Sequence, residues 1–125
     1  MSTATNYSQN TEAMPRYCFA LDLKNDPNLI AMYEEYHKRV WPEILAGLQA
    51  AGIESMQIYR TGNRLLMIME TNASFSFEAK AARDAADPRV QEWENLMWKY
   101  QQALPHAKPG EKWVRMESIF TWETS

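Results

Sequence analysis

The segment Glu54–Glu70 restricts the fold of this chain most. Two extended runs, Glu54 to Thr61 and Arg64 to Glu70, flank Gly62-Asn63. That pair carries glycine at the first central position of a two-residue hairpin turn. The second run holds Leu65-Leu66-Met67-Ile68-Met69 without a break. A strand that is apolar on both sides must be covered on both sides. The hairpin therefore belongs inside a sheet with two packed faces.

The flanking pattern supplies the rest of that sheet. Arg16 to Leu23 alternates as a strand, with Tyr17, Phe19 and Leu21 on one side and Cys18, Ala20 and Asp22 on the other. Asp26-Pro27 is a cap followed by a first-turn proline. From Leu29 the apolar spacing turns helical through Met32, Tyr33, Tyr36, Val40, Trp41, Ile44, Leu45 and Leu48, and Gly52 ends it. Pro42 cannot donate to the carbonyl of Lys38, so the helix should kink or break there. Ser74 to Ala86 and Arg89 to Ala103 read as helical around Pro88, Pro105 to Gly110 as a loop, and Trp113 to Trp122 as a last alternating strand.

Strand, helix, strand, strand, helix, strand is the α+β, ferredoxin-like split βαβ plan: a four-stranded antiparallel sheet with its helices on one face. The opposite face is expected to carry Tyr17, Phe19, Leu21 and part of the Leu65–Met69 run, too apolar for water. Such a patch marks an interface. Two sheets packed face to face would give a homodimer, a dimeric α/β barrel. Met1–Ala13 is polar and expected to be a disordered tail ahead of one domain, residues 14–125.

The inventory narrows the chemistry. A net charge of -3 with no Lys/Arg block argues against nucleic acid. No apolar stretch approaches a membrane span of roughly 18 residues or more, and the N-terminus lacks a secretory pattern. Cys18 is the only cysteine, so no internal disulfide and no cysteine metal site is available. The expected location is the cytoplasm. Proton transfer near neutral pH points to histidine. His106 falls in a loop between prolines. His37 shares a helix face with Tyr33 and Trp41, one turn to either side. A lone histidine offers no metal site, Glu34 and Glu35 should face water, and Cys18 with His37 would be a thiol–imidazole pair lacking a third group.

The stretch Tyr33-Glu34-Glu35-Tyr36-His37-Lys38-Arg39-Val40-Trp41-Pro42-Glu43 resembles the signature of the L-rhamnose mutarotase family, Y-x-x-x-H-x-x-x-W-P-E. The likeness runs from Arg16 to about Trp122 and includes Val90-Gln91-Glu92-Trp93 with Met97. It implies a cofactor-free, metal-free enzyme that interconverts the α and β anomers of a 6-deoxy-L-hexose, L-fucose or L-rhamnose. His37 would be the acid/base group. Tyr33 and Trp93 would contact the sugar, with Trp98 as an alternative to Trp93 and Trp41 beside them. Met56 stands where the family has a tyrosine, and Glu94 where it has a second tryptophan. Those two departures favour L-fucose over L-rhamnose. A cofactor-independent oxygenase on the same fold, or a sugar-binding module without catalysis, are the alternatives.

Overall fold

The computed structural model describes residues 15–124; the segment read as a disordered tail lies outside them. Five strands and four helices follow one another as β1 (Arg16–Leu23), α1 (Pro27–Tyr36), α2 (Pro42–Ala51), β2 (Ile53–Thr61), β3 (Arg64–Thr71), α3 (Phe77–Ala86), α4 (Pro88–Trp98), β4 (Gln101–Gln102) and β5 (Val114–Arg115). The sheet is ordered β2-β3-β1-β4, with β5 on the same edge of β1 as β4, and every pairing is antiparallel. This is the expected ferredoxin-like arrangement.

Local chemistry sets most boundaries. The Asp26 carboxylate accepts from the backbone N–H groups of Asn28 and Leu29 at 2.9 and 3.2 Å, so α1 starts there. Ser76 caps α3 and Asp87 caps α4 in the same way. The α2 helix closes on Gly52 at φ 94°, where an added Cβ would also meet the Asn72 side chain at 2.6 Å. Gly62 turns the hairpin at φ 56°, and Thr61 pairs with Arg64 across it.

Pro42 produces a break rather than a kink. After Tyr36 the chain tightens, with His37 and Lys38 donating to the carbonyls of Glu34 and Glu35, each at 3.1 Å. Trp41 is extended, as a residue before proline must be, and Pro42 opens α2. Two short helices thus replace one long one, and His37 is left at the joint.

Three expectations are corrected. Tyr17, Phe19 and Leu21 face the helices: Tyr17 packs on Phe75 and Phe77 of the α3 entry, and Phe19 on Phe77. The face without helices carries Cys18, Ala20, Leu66 and Ile68, half-buried, with Asp22–Arg64 and Arg16–Glu70 ion pairs at its ends. Alternation separates the two sides of a strand but does not say which side the helices cover.

The α4 helix stops at Trp98, not Ala103. Leaving it lets Tyr100 and Leu104 enter the core and lets Gln101 pair with Leu23. The last strand is only Val114–Arg115, extended by one bond from the Met116 N–H to the Cys18 carbonyl. Beyond it Ile119, Phe120 and Trp122 are 95, 81 and 71% exposed. The alternating pattern is real, but β1 pairs with no more of it.

The core under the helices is Leu23, Tyr33, Leu65, Trp93, Met97 and Tyr100, flanked by Ile44, Ile58, Leu96 and Trp113. It packs side chains of α1 against those of α4, which is what brings the next group of side chains together.

Candidate active site

Between the sheet and the helices lies a cavity of about 570 Å³, within the usual size for a small-molecule site. Phe19, Met56, Ile58, Met67 and Met69 rise from the strands to form one wall. Val40, Ile44, Leu48, Val90 and Trp93 close the other. Only a few polar side chains interrupt this lining: Tyr33, His37, Lys80, Asp84, Glu94 and Gln101.

His37 caps α1, and its ring Nδ1 lies 2.8 Å from the Tyr33 carbonyl oxygen. A carbonyl only accepts, so Nδ1 carries the proton and donates. Nε2 is then the free nitrogen, an acceptor in the neutral ring and a donor in the charged one. The ring is sandwiched laterally by Tyr33, with centroids 4.4 Å apart, and by Trp93 at 5.8 Å edge to face. Its orientation is therefore set by one hydrogen bond and two aromatic contacts.

The Tyr33 hydroxyl is buried and accepts from Gln101 Nε2 at 3.2 Å. Burial pushes its pKa up to about 12; the Gln101 bond pulls the other way, and the charge of Glu94 adds to the rise. This phenol stays protonated at neutral pH and keeps its own proton to give. Gln101 is 4% exposed, and its Oε1 has no partner among the described residues.

Comparison with known proteins decides what this cavity belongs to. Residues 16–122 match the model of the L-rhamnose mutarotase family. The chain belongs to that family. Membership makes it an isomerase, a mutarotase. It is 52% identical, over 86% of its own length and 88% of the relative's, to the L-fucose mutarotase of Xanthomonas campestris. Its fold resembles that of an L-rhamnose mutarotase from Formosa agariphila at TM-score 0.64 and 20% identity, covering 87% of this chain and 99% of the other. It also resembles the tetracenomycin F2 cyclase of Streptomyces glaucescens, at TM-score 0.56 and 16% identity over 89% and 99%. The last two likenesses concern the fold alone.

In this mutarotase, His37, Tyr33, Trp93 and Met56 all line the one cavity. Trp41 does not. It stands behind Trp93, ring centroids 5.1 Å apart, with the Arg89 guanidinium 3.8 Å over its own ring. Trp98 is also outside the lining; the Lys112 ammonium sits 4.9 Å from its ring. Glu94 reaches the cavity wall and is held by Lys112 at 3.1 Å, a bond from the following loop that the sequence did not announce.

His106 is exposed on its loop. Cys18 sits on the bare face of the sheet, so the sheet separates it from His37 and the thiol–imidazole pair does not form. Glu34 and Glu35 face outward, paired with Arg60 and Lys38. Among the described residues no cluster of His, Cys, Asp and Glu could hold a metal ion, and no helix is long and apolar enough to cross a membrane. Gln101 was missed because it was read as part of a helix; Pro105 four residues on was the available signal of an earlier stop.

Proposed function

We propose that this mutarotase interconverts the α and β anomers of a 6-deoxy-L-hexose, L-fucose ahead of L-rhamnose, without a cofactor and with His37 as the acid/base group. The observation that carries the reading is the His37 ring: Nδ1 is tied to a backbone carbonyl, leaving Nε2 free on a cavity-lining residue. In the opening direction the charged imidazole gives its Nε2 proton to the ring oxygen, while water takes the proton of the C1 hydroxyl. The bond between C1 and the ring oxygen breaks, the aldehyde turns about the C1–C2 bond, and the reverse transfers close the other anomer. Water, not Tyr33, is the accepting group, because burial holds the Tyr33 proton in place. Tyr33 is left to donate a hydrogen bond to a sugar oxygen, and Trp93 to present an apolar face to the sugar ring.

The preference for L-fucose is supported by the 52% identical relative of that activity and by the placement of Met56 and Glu94 on the cavity wall. Met56 offers no hydroxyl contact; Glu94 offers an acceptor. The working form we assign is a cytoplasmic homodimer. Its support is the bare apolar sheet face together with the exposed Ile119, Phe120 and Trp122, and the single free Cys18 suits a reducing compartment.

NMR saturation transfer between the anomers of L-fucose and of L-rhamnose, with and without protein, tests this reading. We expect exchange of both above the uncatalysed rate, L-fucose faster. Faster L-rhamnose would reverse the sugar assignment and leave the reaction standing. Quenching of tryptophan fluorescence by sugar with no anomer exchange would replace the enzyme by a binding protein.

A further inference from the structure

The helix α3 faces the cavity with the wrong kind of stripe. In a helix packed on a sheet, positions i, i+3 and i+7 that point inward are ordinarily apolar. Here they are Phe77, Lys80 and Asp84, all lining the cavity. Alanines at 79, 81, 82, 85 and 86 show how little else the helix offers. Lys80 and Asp84 are paired with each other, their side chains 27 and 24% exposed, whereas Glu78 and Arg83 of the same helix lie in water. Half-buried charges on the inner face of a helix are the informative exception to burial rules.

As a device for stabilising α3 the pair runs backwards. An i, i+4 ion pair supports a helix best with the acid N-terminal to the base, and a carboxylate in the last turn opposes the helix dipole. Lys80 precedes Asp84, and Asp84 lies in the last turn of a helix ending at Ala86. Neither effect rewards this order. What the order does provide is a donor and an acceptor side by side on an otherwise apolar wall. The ammonium has two further N–H groups, and the carboxylate has lone pairs that Lys80 does not use. No other hydrogen bond to either side chain is made among the described residues. Two neighbouring alcohols of a sugar present the matching set, one accepting and one donating.

We infer that Lys80 and Asp84 are sugar-binding residues: the ammonium donates to one hydroxyl of the substrate and the carboxylate accepts from the next. The inference rests on the mutarotase reading and deepens it by naming a recognition element. The α3 helix packs against α2 and α4, so the pair occupies a different wall from His37 on α1. It holds hydroxyls remote from C1, leaving the anomeric centre to His37. The substrate class is a neutral sugar with a vicinal diol away from the anomeric carbon.

Anomer exchange of L-fucose and of its 2-, 3- and 4-deoxy analogues separates the possibilities. For the parent, two analogues that lack neighbouring hydroxyls should each show a KM raised about tenfold or more, the loss expected for a hydrogen bond to a charged group. Lys80→Met with Asp84→Leu should raise the KM of L-fucose by a similar factor, with kcat within about twofold, the pattern of lost uniform binding. The same variant should give those two analogues the KM it gives L-fucose, because the contacts they lack are already gone. Asp84→Asn, which keeps the shape, gives the same direction if the double variant does not fold. Lys80→Asp with Asp84→Lys restores the ion pair in the better helical order. A structural role predicts a parent KM for it, and sugar binding a raised one. Parent KM values in the folded variants would overturn the assignment while leaving the mutarotase intact. A parent protein that exchanges none of these sugars would overturn the mutarotase reading and this inference with it.

Discussion

The two faces of the sheet are built from the same strands and serve different ends. One is covered by four helices and encloses a cavity with a handful of polar groups in an apolar wall. The other is bare, with Cys18, Ala20, Leu66 and Ile68 at its middle and ion pairs at its ends. On the covered face the helices shape a site, and three polar groups there have definite partners: His37 has the Tyr33 carbonyl, Tyr33 has Gln101, Glu94 has Lys112. On the bare face the polar groups stay at the ends, where Arg16 and Ser55 bond Glu70 and Arg64 bonds Asp22. The function proposed above assigns chemistry to the first face and assembly to the second.

Removing His37 tests the first half of that division with the largest effect. His37→Ala deletes the free Nε2 but no core residue, so circular dichroism and sedimentation should match the parent. Anomer exchange of L-fucose should fall roughly 10²-fold or more, the low end of general acid/base contributions. Exchange at the parent rate in the folded variant would take the acid/base role away from His37.

How much of this was legible in the sequence depends on the range of the forces involved. Asp26-Pro27, Gly52, Gly62-Asn63 and Pro42 act within one turn of chain, and each did what its local chemistry requires. The end of α4 and the length of β5 are set by the free edge of β1, which no local pattern announces. Thus Gln101 left its helix to pair with Leu23, and the alternating run after Arg115 found no strand to join. The site divides in the same way. Tyr33 and His37 were visible as neighbours on one helix face, and Trp93 and Met56 through the family signature. The sequence pattern did not single out Lys80 and Asp84; only the packing of α3 turns them inward. Trp41 and Trp98 show the converse, since the side-chain type suggested sugar contact and packing placed both off the cavity lining.

The second half of the division is tested on the bare face. Sedimentation of the parent should give about twice the chain mass of 14.6 kDa at micromolar concentration. Ile68→Lys puts a charge in the middle of that face, where a partner sheet would have to desolvate it, and should weaken self-association by about tenfold or more. Replacing Ile119 and Phe120 by serine should act in the same direction without touching the sheet. A parent that sediments as a monomer would remove the dimer, and an Ile68→Lys protein that remains a dimer would move the interface elsewhere.

The smallest effect sharpens the contrast between a dry face and a wet one. Tyr33 is buried under the helices with its pKa pushed up to about 12, from 10.0. A group whose folded pKa is raised keeps its full contribution to stability below the unfolded value and loses it as pH climbs through the folded one. The Tyr33 contribution should therefore be intact below pH 10 and decline between pH 10 and about 12. At pH 11, midway, the loss is on the order of 1 kcal/mol, one pKa unit's worth of differential protonation. Tyr33→Phe removes that titration together with the Gln101 hydrogen bond. At pH 7 it should be less stable than the parent by about 1 kcal/mol, a typical buried hydrogen bond. At pH 11 the two urea midpoints should converge, because the parent has lost what the variant never had. A gap between parent and Tyr33→Phe that stays constant from pH 7 to pH 11 would mean that water reaches this phenol, and that the cavity behind His37 is wetter than its lining implies.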